Sequence, residues 1–344
     1  MEAGKIWDWL SMALFAVFAL IFFFLLSLAI YAERPAGAPG KSLILVVEPG
    51  RDFGSAVSEM ARRGIVKRPL AFKALAFLKG DDKQIKAGEY ALGPSMTPSF
   101  ILGELVRGRG LLRRLTIPEG QNMRQIASLA ARAGVCGEKE FMDAAVNPSL
   151  AAEMGVDAET FEGYLFPDTY FFPRDTAPAA LIAAMVRRFR SVFSPEWEER
   201  ARSLGFSVHQ VVTLASIIEK ETGAAPERPV ISSVFHNRLK KNMRLESDPT
   251  VIYGIRDFDG NLTRRHLKEP APHNTYVIRG LPPGPIASPG LESLRAALYP
   301  ADTDFLFFVS KNDGFHQFSA TLREHEKAVF KHQKRRRRRA KIAP

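Results

Sequence analysis

Cysteine is almost missing: Cys136 stands alone in 344 residues, so no intramolecular disulfide can form. Other absences remove whole chemistries. The chain has no G-x-S-x-G elbow, no P-loop and no G-x-G-x-x-G turn, which leaves serine-hydrolase, phosphate-loop and dinucleotide-binding readings without support. Its seven histidines show no H-E-x-x-H or comparable close spacing, so no metal site and no other cofactor are expected. His316 and His325, nine apart across an expected strand-to-helix junction, read as structural. Cys136 lacks a nearby histidine, which argues against a thiol nucleophile.

Charge is plentiful but uneven. The net charge is +11, yet Lys331, Lys334, Arg335 to Arg339 and Lys341 supply eight positive charges near the C-terminus. Without them 40 basic residues face 37 acidic ones. The tail has no interleaved aromatics, so nucleic acid is not an expected partner. It reads as a solvated end, or as a contact for anionic lipid or wall polymer.

Leu10 to Tyr31 carries 22 residues without a charge, about 33 Å as a helix, which matches a bilayer core. A cleaved signal peptide with Ala36-Gly37-Ala38 as its site and a buried soluble helix are the alternatives. The run is longer than an h-region of roughly 7–15 residues and has no polar face, so an uncleaved anchor is expected. The short segment before it suggests an N-terminus in the cytoplasm and a translocated body.

After a Pro/Gly-rich linker the pattern is mixed. Strands are expected at 43–47, 89–92 and 111–117, and helices at 54–63, 69–78 and 99–108. An internal echo links 46–64 with 116–134: Gly50 matches Gly120, Phe53 matches Met123 and Gly64 matches Gly134. Each copy reads as strand, glycine turn, helix. From Asn122 onward helices dominate, until Asn312-Asp313-Gly314 signals a hairpin between 305–310 and 315–319.

Within that helical half, 207–223 (SVHQVVTLASIIEKETG) opens on a Ser207/Gln210 capping box and stops at Gly223. Val208, Val211, Val212 and Ala215 form an apolar stripe, and Glu219 falls inside it, whereas Lys220 and Glu221 do not. A carboxyl among apolar neighbours resists ionisation and can donate a proton near neutrality. The alternative is a buried ion pair, with Arg238 or Arg244 as partner. Three turn-rich clusters could surround it: 161–170 with Glu162, Tyr164, Asp168 and Tyr170; 243–254 with Glu246, Asp248 and Tyr253, where Pro249 suggests extended backbone; and 273–290 with Asn274 and Tyr276. Aromatic rings and amides in such loops suit sugars, so Glu162, Tyr164, Glu246, Asp248, Tyr253, Asn274 and Tyr276 are candidate substrate-binding residues.

LASIIEKET at 214–222, RLESDPTVIYG at 244–254, NTYVIRGLPPGPIASPG at 274–290 and GFHQFSATLREH at 314–325 together resemble the YceG-like family of endolytic murein transglycosylases. The resemblance covers roughly residues 42–330. It implies an α+β protein of the bacterial inner membrane: cytoplasmic tail 1–9, single-pass transmembrane helix 10–31, linker 32–41, LysM-like α/β module 42–115, mainly helical catalytic domain 116–330 with a small β-hairpin, and basic tail 331–344. It also implies a periplasmic body that cuts peptidoglycan glycan strands, with Glu219 as the catalytic acid and peptidoglycan synthases as partners. In this scheme Glu219 protonates the bond between N-acetylmuramic acid and N-acetylglucosamine, then takes a proton from the muramic 6-hydroxyl, leaving a 1,6-anhydro end. Two departures stand out: the family pattern often has Gln at the place of Glu246, and the arginine run is foreign to it. A muramidase using Glu219 and Glu246, and a wall-binding scaffold without activity, remain the alternatives.

Overall fold

The computed structural model describes residues 2–38, 40, 42–48 and 50–334. The arginine run of the basic tail lies outside the described residues. The chain divides into two compact units, Met1–Arg113 and Arg114–Pro344. The architecture is mixed α+β and mainly helical. Among the described residues its strands form three two-stranded sheets.

The first unit opens with α1 (Glu2–Ala32). Its stretch Trp9–Ala32 is 24 residues long, with a mean hydropathy of 2.9 over an 18-residue window, apolar and long enough to cross a membrane. Strand β1 (Leu43–Val47) then leads into α2 (Phe53–Arg62) and α3 (Pro69–Lys79). Strand β2 (Gly88–Leu92) returns antiparallel to β1, with Leu43 opposite Leu92 and Val47 opposite Gly88. Helix α4 (Pro98–Arg107) closes the unit over a core that includes Val57, Met60, Phe72, Tyr90, Ile101 and Leu105.

In the second unit, β3 (Arg113–Thr116) pairs with β4 (Thr169–Phe172). Between them lie α5 (Met123–Arg132), α6 (Glu138–Ala145) and α7 (Pro148–Glu153). Helices α8 (Pro178–Val192), α9 (Pro195–Ser203), α10 (Val208–Glu221), α11 (Arg228–Lys240) and α12 (Asp248–Gly254) follow. Then come α13 (Leu291–Leu298), the hairpin of β5 (Phe307–Ser310) and β6 (His316–Ser319), and α14 (Leu322–Val329). The hairpin pairs Phe307 with Ser319 and Ser310 with His316. Asn312 (φ 61°) and Gly314 (φ 90°) occupy the left-handed region that its turn requires. Helix α10 is the axis of this unit, buried continuously from Val211 to Ile218, and α13 packs along it.

Both copies of the sequence echo fold alike. Asp52 and Asn122 cap their helices by accepting the N–H of Ser55 and of Gln125. Gly64 (φ 71°) and Gly134 (φ 65°) end them in the left-handed conformation. The next amides, those of Ile65 and Val135, bond back to the Met60 and Ala130 carbonyls at 2.9 and 3.0 Å.

The structure departs from expectation at Pro249, which starts α12 instead of imposing extended backbone. Proline lacks an N–H that the first helical turn does not need, and its fixed φ suits that position. Helix α10 also stops at Glu221, because Thr222 turns extended (φ −142°, ψ 137°) before Gly223 is reached.

Candidate active site

Glu219 sits in the last turn of α10, where the helix leaves the core. Its side chain is 7% exposed. The expected setting of a single apolar stripe needs correction, because α10 is buried on all sides from Val211 to Ile218, Thr213 and Ser216 included, while the Glu219 carboxylate itself meets polar groups. Its Oε2 accepts the Gly290 backbone N–H at 3.0 Å, and its Oε1 lies 3.6 Å from an Arg228 guanidinium nitrogen. Neither of the arginines first considered, Arg238 or Arg244, is its partner. Arg238 instead holds Glu246 at 3.2 Å and donates to the Leu306 and Leu245 carbonyls at 2.7 and 2.8 Å.

Two loops converge on this carboxylate. One is the glycine turn of the second βα copy, Pro118-Glu119-Gly120. Gly120 has φ 75°, and a Cβ there would stand 3.5 Å from Glu219 Cγ. The other is the segment Ser288–Gly290 ahead of α13. Backbone bonds staple the two together: the Gly120 N–H donates to Ser288 O at 2.9 Å, and the Ser288 N–H donates to Gln121 O at 2.8 Å. Lys220 Nζ adds a bond to Gly120 O at 3.1 Å. The position of Glu219 thus depends on backbone from three places far apart in the chain.

These staples bring in a second carboxylate that sequence reasoning missed. The Glu119 carboxylate rests on Gly290, so that any Cβ at Gly290 would fall onto it. Partial burial pushes the Glu119 carboxyl above its ordinary range, the Glu219 charge pushes the same way, and Arg228 opposes them. The clue available was the internal echo itself, since Glu119 occupies the turn of the second copy.

The remaining candidates divide among other networks. Glu162 is buried and accepts the Met123 N–H at 3.1 Å and the Tyr253 hydroxyl at 3.0 Å. Burial pushes its carboxyl up to about 7. Tyr164 is 4% exposed, with its hydroxyl 3.0 Å from His209 Nδ1, and His209 Nε2 in turn bonds Pro283 O. Asn274, at 1% exposure, spends its amide on the His266, Leu267 and Glu269 carbonyls and accepts the Tyr276 N–H. Tyr276 donates to Asp248 at 2.6 Å. Glu246, with φ 53°, joins Glu221, Arg238, Asp248, Tyr276, His316 and His325 around a cavity that Glu219 does not line. There Glu221 accepts the Ser247 hydroxyl, and burial raises its carboxyl to about 7. Among the described residues no cluster of His, Cys, Asp and Glu could hold a metal.

Comparison with known proteins identifies the family. The YceG-like family profile matches residues 45–331. The endolytic murein transglycosylase of Bacillus subtilis is 33% identical over 319 residues, spanning 87% of both chains. That of Streptococcus pneumoniae is 29% identical over 331 residues, and the present chain spans 60% of its length. The 2.6 Å crystal structure of a YceG-like protein from Listeria monocytogenes superposes with a TM-score of 0.58 at 31% identity, covering 84% of this chain and 99% of that one. A family match over most of the chain, relatives similar over most of its length and a shared fold agree: this chain belongs to the YceG-like family.

Proposed function

We propose that the chain is an endolytic murein transglycosylase that cleaves the N-acetylmuramic acid–N-acetylglucosamine bond of nascent peptidoglycan, with Glu219 as its catalytic residue. The observation that carries this is Glu219 itself, a carboxyl fixed by the Gly290 N–H beside Arg228 at the end of the central helix. Protonated Glu219 gives its proton to the glycosidic oxygen as the bond to the muramic anomeric carbon breaks. The resulting carboxylate takes the proton of the muramic 6-hydroxyl while that oxygen bonds to the same carbon. A 1,6-anhydro end forms, no water is consumed, and Glu219 is protonated again. Arg228 offsets the charge that the carboxyl carries between the two transfers. A positioned acid–base group of this kind contributes typically ~10²–10⁴-fold.

In this reading α1 is a single-pass anchor in the inner membrane with a cytoplasmic N-terminus. Residues 42–115 are a LysM-like module, 116–330 are the catalytic domain, and both face the periplasm. The β1–α2–α3–β2 order and the length of Trp9–Ala32 support the assignment. Holding the site near the membrane directs it at newly made strands, so cleavage terminates their elongation beside the synthases that extend them. Mass spectrometry of digested glycan strands tests the chemistry. Anhydro-muramic ends are expected, with cleavage lost in Glu219→Gln; reducing ends carrying solvent oxygen would refute the intramolecular step.

A second reading has one specific observation behind it. Hydrolytic glycosidases work with two carboxylates, and Glu119 meets Glu219 across Gly290, the place first considered for Glu246. Under the one-carboxyl scheme Glu119→Gln lowers turnover less than tenfold and leaves anhydro products. A loss as deep as that of Glu219→Gln, with hydrated products from the wild type, establishes the muramidase instead.

A further inference from the structure

Beside Glu219 a cavity of about 560 Å³ opens along α10, α5 and α12. Its lining includes Gly120, on which a Cβ would touch Glu219, and Lys220, the next residue of α10. Three cations converge on it: Lys220 from α10, Arg124 from the first turn of α5, and Arg256 just beyond α12. Among the described residues no aspartate or glutamate lines it. Arg124 and Arg256 are both exposed to solvent. One wall is apolar, built from Ile252, Tyr253, Ile255 and Phe258. The Tyr253 hydroxyl turns away into its bond with Glu162, so the ring and not the hydroxyl is available to a ligand. Asn122 and Gln125 complete the opposite side, although both also serve the α5 capping box.

A neutral sugar has no use for three cations. The glycan that Glu219 is proposed to cut alternates two sugars, and the muramic one alone bears a lactyl ether at O3. That arm either ends in a free carboxylate or continues into a peptide carrying carboxylates of its own. A guanidinium pair matches a carboxylate in geometry and charge, and an apolar wall suits the lactyl methyl or alanine side chains. We propose that this cavity is a subsite for the carboxylate-bearing arm of muramic acid, gripped by Arg124 and Arg256 with Lys220 at the end nearest the scissile bond. The subsite rests on the glycan-cleaving reading above and adds to it the part of the substrate that sets register. Because every second sugar carries the arm, seating it here fixes which of the two alternating bonds faces Glu219.

The test measures binding, so it stands apart from catalysis. Full-length Glu219→Gln protein in detergent is titrated with three glycan preparations: strands with intact stems, strands stripped of stems by an amidase, and intact strands whose carboxylates have been converted to amides. Adding Arg124→Gln and Arg256→Gln is expected to weaken binding about tenfold on a carboxylate-bearing preparation and less than twofold on the amidated one. Loss on intact strands alone assigns the carboxylate to the peptide; loss on stripped strands assigns it to the lactyl group. Arg124→Lys with Arg256→Lys, which keeps the charge but loses the guanidinium geometry, should recover part of the affinity lost in the Gln pair and so excludes a folding defect. Equal loss on all three preparations, or loss on none, overturns the subsite. Cleavage by the wild type is followed separately, so failure of the subsite and failure of the transglycosylase reading give different results.

Discussion

The two βα copies, 46–64 and 116–134, share nearly everything local. Each has a strand, a glycine with φ between 75° and 79°, a capped ten-residue helix and a left-handed glycine stop. They differ in what surrounds the turn. A Cβ on Gly50 would meet nothing within 4 Å among the described residues, whereas one on Gly120 would touch Glu219 and Lys220. The acid has also moved within the turn, from Glu48 ahead of the proline to Glu119 behind it. The same local grammar therefore yields plain scaffold in one unit and a wall of the candidate site in the other. The tertiary neighbours of the turn decide which.

Glycine substitution separates the copies most sharply. Gly50→Ala and Gly120→Ala should each cost about 1–2 kcal/mol, because both force a side chain into the left-handed region. Strand cleavage should fall at least tenfold in Gly120→Ala and stay within twofold in Gly50→Ala, once each is assayed below its melting temperature. Equal activities would mean that the turn of the second copy does not position Glu219.

A smaller effect follows from how the second copy's helix is held at its start. Glu162 grips the Met123 N–H, and its carboxyl is raised to about 7 by burial. A folded-state value above the ordinary ~4.3 means that the folded form prefers the protonated acid. Its stabilising contribution is complete below about pH 4.5 and is lost as pH rises through about 7. The melting temperature of the full-length protein should therefore decline across that window. Glu162→Gln should flatten the decline without removing it, because Glu221 shares the same direction. An unaltered slope in the variant would show that Glu162 is not the group responsible.

The smallest expected difference lies in the caps. Asp52→Ala and Asn122→Ala should each lower stability by about 1 kcal/mol, measured by denaturant unfolding. Asn122→Ala loses a reciprocal capping box, whereas Asp52→Ala loses a one-sided cap. A larger loss at Asp52 would reverse the ranking.

Much of this was legible in the residues. The periodicity of α10, its Ser207/Gln210 box, the βα echo and the Asn312–Gly314 hairpin all follow from spacing and turn chemistry, which act over a few residues. Glu219 stood out because a charge on an apolar helix is costly. Its partners did not, because Arg228, Gly290 and Glu119 are brought together by backbone bonds between distant segments, and no local period encodes those. Asn274 and Tyr164 show what side-chain chemistry alone does not reveal. Their side-chain chemistry suits sugar, but burial commits Asn274 to carbonyls of its own loop and Tyr164 to His209. Short α12 and α13 were hidden by the proline and glycine around them, which read as loop.

The amide that grips Glu219 belongs to a residue 71 positions further along the chain. During synthesis the proposed acid is made long before the amide that holds it, so a nascent or truncated product ending ahead of Gly290 lacks that hydrogen bond. Under the proposed mechanism, competence therefore arrives late, with the folding of the completed unit.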